Sequence, residues 1–571
     1  MNYKNIIKKI IKKSKILKRV YYAYRRSKYK YYDWGTILKV DFKKWEEAKI
    51  SAGNKTKVLL ATSLGGIPTA AILDSFLAVA LTLRGAEVHL LLCDKILPAC
   101  LMTEVGLIDQ KTLEKHGPRR YFCKFCHAAG RFVFNALGLK IHQYGDFLST
   151  AELGAIREKS VNMVEKDLYS LNRSTSDNCE HAVAGTLRYF ASSYLPPDEK
   201  TKSVLKCYYY AAFITEHVMN RLLSEYKYDV VSCINGIYIP QGIVASVART
   251  LGIRVTTWNV AYRKKSFVFS HNDTYHHTLM NEPVSEWENM DWSDDHEKKI
   301  LNYLNSRRRG GRDWIAFQDK NPNEDLSSIA RSLPGINFSR PCIGMLTNVA
   351  WDAQLHYPAN AFPNMLDWVL KTIEYFKEHP ALQLIIRIHP AEVSGDIPSR
   401  QPVLEEIKNV YSHIPRNVFI IPPESKISTY SVMEACNAVI IYGTKTGVEL
   451  TSIGIPVIVA GEAWIRNKGI TIDAQNSDHY YQILDKLPLP YRMDRDQVER
   501  ARKYAYHFFF RRMIPISQMQ PTGGEPQFRV AISTLDDLLP GKCSGLDVIC
   551  DGILNGTPFI YPAEKIEVSN E

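Results

Sequence analysis

The sequence predicts an α/β protein built from two Rossmann-like domains. Two stretches carry this prediction, because each reads as a buried strand, a glycine-containing turn, a helix and a second strand. The first begins at Lys57, and the second spans Asn437 to Asp473. The strands are short apolar runs rich in β-branched residues, as expected for parallel strands buried on both faces. The chain has 571 residues, 45% of them hydrophobic, which is enough to form two such cores.

The N-terminal segment, residues 1–34, is strongly basic. It contains 12 of the 72 Lys and Arg residues and one of the 60 acidic residues, so it carries most of the net charge of +12. The nearly neutral remainder argues against a nucleic-acid-binding enzyme. Isoleucines at near-helical spacing among the lysines, followed by tyrosines and Trp34, predict an amphipathic helix on an anionic membrane surface. The alternative is a solvated charge run. The apolar runs are too short for a signal peptide or a membrane span.

The N-terminal domain is predicted over residues 55–320. Its predicted elements are, in order, strand Lys57–Ser63, helix Thr69–Arg84, strand Val88–Cys93, a largely helical insertion within 131–225, and a second α/β unit over 229–259. The first unit lacks a full GxGxxG pattern, so it does not by itself indicate a dinucleotide.

Four cysteines of this domain have spacing that could hold a metal. Cys123 and Cys126 are two residues apart, as in chelating thiolate pairs, and Cys93 and Cys100 flank a loop that could supply the other ligands. The sequence therefore predicts a structural zinc site, with buried core thiols or a redox pair as the alternatives. Disulfides are not expected, since no secretory signal is present.

A polar stretch follows the strand that ends at Asn259. It contains His271, Asp273 and His276, and Asp273 with either histidine could remove a proton from an acceptor hydroxyl. A polar loop with a chance histidine cluster is the alternative. Residues 307–312, RRRGGR, are then predicted to be a flexible basic connector.

The domain boundary is placed at 320–340, the second domain at 340–540 and a C-terminal tail at 541–571. Two polar clusters follow strands of this second domain. The strand Leu382–Ile388 ends in His389, and the strand Ala438–Tyr442 ends in the loop Gly443–Gly447. Ligands of open α/β sheets bind beyond the carboxyl ends of the strands, so the two clusters are expected to face one crevice.

The loop Gly443–Gly447 precedes a short helix, and its backbone N–H groups favour an anion such as a phosphate. It is not a P-loop, because the spacer and the terminal Gly-Lys-Ser/Thr are missing. His389 could hydrogen-bond the same phosphate and, when protonated, stabilise it. Glu449 could accept hydrogen bonds from ribose; a solvated first-turn carboxylate is the alternative.

The motifs RIHPAE and YGTKTGVELTSIGIPVIVAGEAWIRNKGIT, with MLTNVAWDAQLHYPANAFPNMLDWV upstream, resemble the capsule polysaccharide biosynthesis family, which includes Kdo transferases of GT-B architecture. The resemblance covers most of Ile343–Asp473. It implies a nucleotide-sugar donor on the second domain and an acceptor on the first. By resemblance, His389 and residues 444–447 contact the nucleotide phosphate, and Glu449 contacts ribose. The predicted donor-binding residues are Arg387, Glu392, Gly443, Thr444, Lys445, Thr446, Gly447 and Glu449, and the candidate catalytic residues are His389, Asp273 and His271.

Together these observations predict a glycosyltransferase of capsule or surface polysaccharide synthesis at the cytoplasmic face of a bacterial inner membrane. The donor would be a nucleotide-activated sugar, with a CMP-linked sugar as one candidate, and the acceptor a glycan or a lipid-linked glycan. Asp494 and Asp496 are read as acids of a first helical turn, so the sequence does not require a catalytic metal. The alternatives are a polyol-phosphate transferase of related architecture and a non-catalytic, zinc-stabilised membrane scaffold.

Overall fold

The computed structural model describes residues 31–52, 56–118, 122–166, 177–308, 311–314, 317, 321–395 and 397–566. The described residues form two compact units. The first unit draws on Met1–Phe190, Leu195–Tyr275 and Met513–Tyr561, and the second on Ala191–Tyr194, His276–Arg512 and Pro562–Glu571.

The strands alternate with helices along most of the chain. The strands are β1 Lys57–Ser63, β2 Glu87–Leu92, β3 Lys140–Gln143, β4 Val230–Ile234, β5 Arg254–Val260, β6 Ser266–His271, β7 Cys342–Leu346, β8 Gln383–Arg387, β9 Val418–Ile421, β10 Ala438–Ile441, β11 Val457–Val459, β12 Ile472–Asp473, β13 Ile514–Pro515, β14 Met519–Pro521 and β15 Phe528–Val530.

The α-helices are α1 Trp34–Val40, α2 Phe42–Ser51, α3 Pro68–Leu83, α4 Gln110–His116, α5 Lys124–Asn135, α6 Thr150–Lys166, α7 Asp177–Phe190, α8 Glu199–Glu225, α9 Gln241–Thr250, α10 Tyr275–Asn281, α11 Asp294–Arg307, α12 Leu326–Ser332, α13 Met365–Glu378, α14 Ala391–Ser394, α15 Val403–Val410, α16 Thr429–Ala435, α17 Thr446–Thr451, α18 Ser477–Leu484, α19 Arg495–Tyr506 and α20 Ser544–Asn555. Single 3-10 turns occur at Tyr144–Phe147, Val284–Glu286 and Leu535–Leu538, and a π-helical turn at His507–Arg511.

The first unit is organised around a seven-stranded sheet of order β13-β6-β5-β4-β1-β2-β3. Strands β1 to β5 are parallel, and β6 runs antiparallel to β5. Helix α3 begins with Pro68 at its first position, where the missing N–H is not needed, and buries almost its whole length against the sheet. The predicted helical insertion is present as α6, α7 and α8.

The second unit is organised around a six-stranded, wholly parallel sheet of order β12-β11-β10-β7-β8-β9. Strands β7, β8, β10 and β11 are buried along their full length, which matches their continuous apolar sequences. Both units thus have helices around mainly parallel sheets, and the predicted α/β class with two Rossmann-like halves is confirmed.

The division of the chain differs from the one expected at 320–340. Residues 276–340 group with the second unit because α11 packs against α19, where Glu297 forms an ion pair with Arg502. Residues 513–561 complete the first unit: β13 pairs with β6, and Arg84 forms an ion pair with Asp547 of α20 at 2.5 Å. The segment assigned to a C-terminal tail therefore contains a structural helix.

The basic connector predicted at 307–312 is also revised. Arg307 is the last residue of α11, and its side chain is only 3% exposed. It is buried because two carboxylates contact it, and neither is recognisable as its partner from the sequence.

The Asp494-x-Asp496 pair is confirmed as part of a helix start. Asp494 is the N-cap of α19: its side chain accepts a hydrogen bond from Gln497 N, and the Gln497 side chain accepts one from Asp494 N. This reciprocal arrangement is a capping box, which places Asp494 directly before the helix and Asp496 in its first turn.

Candidate functional site

Three neighbouring strands of the second unit end in polar residues at one edge of its sheet. Strands β10, β7 and β8 are adjacent and parallel, so their carboxyl ends share this edge. His389 follows β8, and Thr347 follows β7. The backbone N–H of His389 donates a hydrogen bond to Thr347 Oγ1 at 3.0 Å. The Gly443 loop, defined as residues 443–447, follows β10. The two clusters singled out in the sequence therefore stand at the same edge of one sheet.

The His389 ring is held in one orientation and in one tautomer. Its Nδ1 accepts a hydrogen bond from Ala391 N at 3.1 Å, and the ring packs edge-on against Phe317. Burial, together with Lys445 and Arg387, lowers the pKa of His389 to about 3. The imidazole is therefore neutral near pH 7, with its proton on Nε2, because Nδ1 is an acceptor. His389 offers a hydrogen-bond donor here, in place of the protonated ring that the sequence suggested.

The Gly443 loop is compact and leaves its first residue open. A Cβ at Gly443 would meet no atom closer than Glu462 O at 3.4 Å, whereas one at Gly447 would approach Ile441 Cδ1 to 2.7 Å. Gly447 thus allows α17 to pack closely on β10. Within the loop, Thr446 N lies 3.4 Å from Thr444 Oγ1. Because α17 has only six residues, charged side chains dominate the electrostatics of this loop.

A buried charge cluster underlies the loop. Glu449 Oε1 lies 3.2 Å from Arg307 Nη2 and 3.6 Å from Lys445 Nζ, and the Tyr430 hydroxyl donates to Oε2. Asp313 forms a second ion pair with Arg307. We refer to these five residues as the Arg307 cluster. Within it the Lys445 side chain is 19% exposed, against 3% for both Arg307 and Glu449.

The cluster shifts the protonation equilibria of its members. Burial alone would raise the pKa of Glu449, but Arg307 and Lys445 outweigh it and the net shift is downward. Burial and the nearby Arg307 lower the pKa of Lys445 to about 8, against the opposing effect of Glu449 and Asp313. Lys445 is therefore a cation at neutral pH that loses its charge under mildly alkaline conditions.

Three predicted donor-binding residues have protein partners in the structure. Both oxygens of Glu449 contact cluster members, so the carboxylate is not presented to ribose. Arg387 donates to Thr429 Oγ1 and to the carbonyls of Pro422 and Ser425, and Glu392 Oε2 accepts from Val403 N at 3.1 Å. These contacts anchor the loops after β8 and β9. The expected direct roles of the three residues are not apparent from this geometry and stay predictions.

Sequence reasoning missed several polar residues at the same edge. Asn348 follows Thr347, and its Oδ1 is buried without a hydrogen-bond partner among the described residues. Glu462, in the loop after β11, accepts from Ala359 N at 2.6 Å, and its own N–H donates to Asn360 Oδ1 at 2.7 Å. The rule that singled out His389, a polar residue directly after a buried strand, also applies to Thr347 and Asn348. No comparable sequence signal identifies Arg307 or Tyr430.

The sequence argument for His271 and Asp273 fails on position. It assumed that both follow a parallel strand, but β6 runs antiparallel to β5 and returns the chain toward the opposite edge of the sheet. His271 pairs with Thr256 near the beginning of β5, its Nε2 lies 2.8 Å from Thr557 O, and its ring stacks on Phe559. The two residues therefore do not stand at the edge where β1, β2 and β4 end.

The zinc prediction is not supported. Cys93, Cys100, Cys123 and Cys126 are all buried in the first unit, yet no three His, Cys, Asp or Glu side chains among the described residues are arranged to hold a metal ion. Gly66 N lies 3.1 Å from Cys126 Sγ, so this thiol has a backbone partner. Burial, together with the neighbouring Cys123 and Cys126, raises the pKa of Cys100 well above its usual value.

The basic N-terminal segment can be judged only at its end, because residues 1–30 lie outside the described residues. Trp34, expected at a membrane surface, is buried instead, and its Nε1 donates to Ser75 Oγ at 2.9 Å. Among the residues described, no helix is long and apolar enough to cross a bilayer. Membrane attachment through the segment before Trp34 stays a prediction.

Comparison with known proteins finds a family match within the second unit. Residues 336–508 match the family described as capsule polysaccharide biosynthesis protein. No curated protein sequence matches the chain. Among solved structures, the chain is similar to the β-Kdo 2,4 transferase KpsC of Thermosulfurimonas dismutans, with 10% identity over 48% of this chain and 79% of that one and a TM-score of 0.31. The β-Kdo 2,7 transferase of the same KpsC is 12% identical over 56% and 88%, with a TM-score of 0.31. A UDP-GlcNAc 2-epimerase from Neisseria meningitidis, bound to UDP-GlcNAc, is 11% identical over 79% and 95%, with a TM-score of 0.23.

Proposed function

We propose that this chain, whose residues 336–508 match the capsule polysaccharide biosynthesis family, is a glycosyltransferase that uses a nucleotide-activated sugar. The observation that carries the proposal is the meeting of His389 and the Gly443 loop at one edge of a parallel sheet. A neutral hydrogen-bond donor and a cation at one strand edge are suited to a phosphate-bearing ligand. The family match adds the glycan chemistry.

The proposed chemistry is stabilisation of a leaving nucleoside phosphate. When the bond between the sugar and the phosphate breaks, negative charge grows on the phosphate oxygens. His389 Nε2–H would donate to one of these oxygens, and the Lys445 ammonium would offset the charge. Groups held in position before the reaction need little reorganisation, which is why such contacts typically change rates by about 10²–10³-fold.

We further propose that Asn348 contacts a donor hydroxyl in place of Glu449. Its Oδ1 is a buried acceptor that lacks a partner among the described residues, and it stands at the edge shared by His389 and the Gly443 loop. A sugar or ribose hydroxyl would supply the missing donor. The acceptor glycan is assigned to the first unit, as the GT-B resemblance implies, and the catalytic base is left unassigned.

The first experiment is a thermal-shift and calorimetric screen of the full chain against CMP, UDP and their sugar conjugates. We expect one nucleotide to raise Tm and to bind measurably. His389→Ala should weaken turnover by about 100-fold with little change in Tm, because the ring stands at a strand end. His413→Ala, an exposed histidine of the same unit, is the matched control and should behave like wild type.

The outcomes separate the proposal from its alternatives. A scaffold without enzymatic activity would show no stabilisation by any nucleotide. A polyol-phosphate transferase would bind a nucleotide but would place phosphorus in the product, which mass spectrometry of the product detects. Turnover of His389→Ala equal to that of wild type would overturn the assignment of the site.

A further inference from the structure

Arg307 is an arginine buried between two carboxylates. It ends α11, and its side chain forms ion pairs with Asp313 and Glu449, while Nη1 donates to the Tyr303 hydroxyl at 3.2 Å. Its guanidinium also lies 4.9 Å from the centroid of the Phe509 ring. A guanidinium in such surroundings is costly to bury unless its contacts are well formed, so its position is tightly determined.

The same carboxylate, Glu449, contacts both Arg307 and Lys445. Oε1 is closer to Arg307 Nη2, at 3.2 Å, than to Lys445 Nζ, at 3.6 Å. If Arg307 were absent, Glu449 would have Lys445 as its principal cationic partner. The ammonium would then be drawn toward Glu449, and the carboxylate would offset its positive charge. With Arg307 present, Glu449 is shared, and Lys445 keeps the most exposed position of the three side chains.

We infer that Arg307 is a positioning residue of the Gly443 loop: by its ion pair with Glu449, it keeps the Lys445 ammonium the most exposed charge of the Arg307 cluster, available to a phosphate group of the ligand. The inference rests on the proposed function only for the identity of that ligand, a nucleoside phosphate. The geometry of the Arg307 cluster stands independently of it.

The charges that face Lys445 come from four parts of the unit. Glu449 lies on α17 itself, Arg307 on α11, Asp313 in the segment after α11, and the neutral His389 after β8. Arg307 disfavours the Lys445 cation, whereas Glu449 and Asp313 favour it. Tyr430 of α16 reaches the group only through its hydrogen bond to Glu449. Removing Arg307 and removing Asp313 should therefore move the titration of Lys445 in opposite directions.

This opposition provides the decisive test. Trace acetylation of the full chain with acetic anhydride, followed by peptide mass spectrometry across pH, reports the titration midpoint of Lys445 directly. We expect a midpoint near pH 8 in wild type. Arg307→Met should raise it by roughly one pH unit, and Asp313→Asn should lower it by a similar amount. Arg307→Lys, which keeps the charge, should leave it close to wild type.

A matched control is Arg502→Met, which removes another ion-paired arginine of the same unit, one that contacts Glu297. Its Lys445 midpoint should equal that of wild type, even if its Tm falls. A general loosening of the fold would expose Lys445 and raise the midpoint in every variant. An unchanged midpoint in both Arg307→Met and Asp313→Asn would overturn the inference, as would shifts of the same sign. If Arg307→Met does not fold, Asp313→Asn still decides by the direction of its shift.

Ligand binding then separates the inference from the proposed function. With the nucleotide found in the screen, affinity should decrease above about pH 8 in wild type, because the neutral amine no longer attracts phosphate. In Arg307→Met we expect roughly tenfold weaker binding at pH 7 and a decrease that begins at higher pH. If Lys445 titrates as expected but neither CMP nor UDP binds, the proposed function fails and the positioning role stands. If a nucleotide binds but the titration midpoints of Lys445 do not move, the positioning role of Arg307 fails and the proposed function stands.

Discussion

The two units each bury a carboxylate on the helix that follows a strand of the sheet, and they treat it in opposite ways. Asp74 on α3 accepts hydrogen bonds from Thr62 Oγ1 at 2.7 Å and from Trp258 Nε1 at 2.9 Å, both neutral groups. Burial outweighs these bonds and raises the pKa of Asp74 to about 7. Glu449 on α17 is buried as well, but two cations reverse the effect of burial and lower its pKa.

The difference shows where the molecule concentrates charge. Hydrogen bonds from neutral groups compensate only part of the cost of removing a carboxylate from water, so Asp74 takes up a proton more readily. A guanidinium and an ammonium compensate more, so Glu449 stays ionised and holds both cations at a strand edge. A buried carboxylate that neighbouring cations keep ionised is typical of functional sites. The proposed ligand site is therefore assigned to the second unit on electrostatic grounds, and the family match lies in the same unit.

The largest effect should come from replacing each carboxylate by its amide. Glu449→Gln leaves Arg307 and Lys445 with one carboxylate fewer between them, and we expect a loss of about 4 kcal/mol in the free energy of unfolding at pH 7. Asp74→Asn keeps an acceptor for Trp258 and a polar contact for Thr62, so we expect a change within about 1 kcal/mol.

Urea unfolding followed by fluorescence and by circular dichroism measures both variants under the same conditions. Because the chain has two units, the comparison uses the transition assigned to each unit rather than one global value. Equal losses in the two variants would show that the charge environment of Glu449 is not what stabilises it.

A second, somewhat smaller effect concerns pH. The pKa of Asp74 in the folded chain, about 7, lies above its ordinary value of 3.8, so the folded state binds the proton more tightly than the unfolded state does. The stabilising contribution is complete below about pH 3.8 and is lost as pH rises toward 7. Between pH 5 and 8 we expect the first unit of wild type to lose roughly 3 kcal/mol relative to Asp74→Asn.

The measurement is the difference in free energy of unfolding between wild type and Asp74→Asn at several pH values. Taking this difference removes titrations that both chains share. A difference that stays constant from pH 5 to 8 would mean that Asp74 is ionised throughout the range, and the contrast with Glu449 would then disappear.

Much of the fold could be predicted from the sequence because it depends on local patterns. Apolar runs with β-branched residues marked β1, β8 and β10 to within one or two residues, and glycine turns marked the helices that follow. The convergence of His389 with the Gly443 loop followed from a property of parallel sheets, whose strand ends share an edge. These inferences needed no information about distant contacts.

The parts that could not be predicted depend on such contacts. Arg307 looked like part of a solvated basic run, because nothing local reveals that Asp313 and Glu449 pair with it. Strand β6 also escaped prediction, because residues 262–277 read as one polar stretch, and its antiparallel return carries His271 away from the expected edge. The ribose role expected of Glu449 stays a prediction, but its partners Arg307 and Tyr430 come from elsewhere in the chain and could not be foreseen.

The smallest expected effect is that of adding EDTA, a metal chelator, on Tm. It tests whether the cysteines of the first unit hold a metal ion. A zinc ion held by Cys93, Cys100, Cys123 and Cys126 would replace four neutral thiols by a dication and four thiolates. That charged centre would break the contrast drawn above. Because these thiols are not arranged to hold a metal, we expect zinc well below one equivalent in the purified chain and the same Tm with and without EDTA. Cys123→Ser and the control Cys550→Ser, also buried in the first unit, should each lower stability by about 1 kcal/mol, equally with and without EDTA. One equivalent of zinc, or a fall in Tm with EDTA that Cys123→Ser abolishes and Cys550→Ser does not, would show that the first unit holds a charged centre after all.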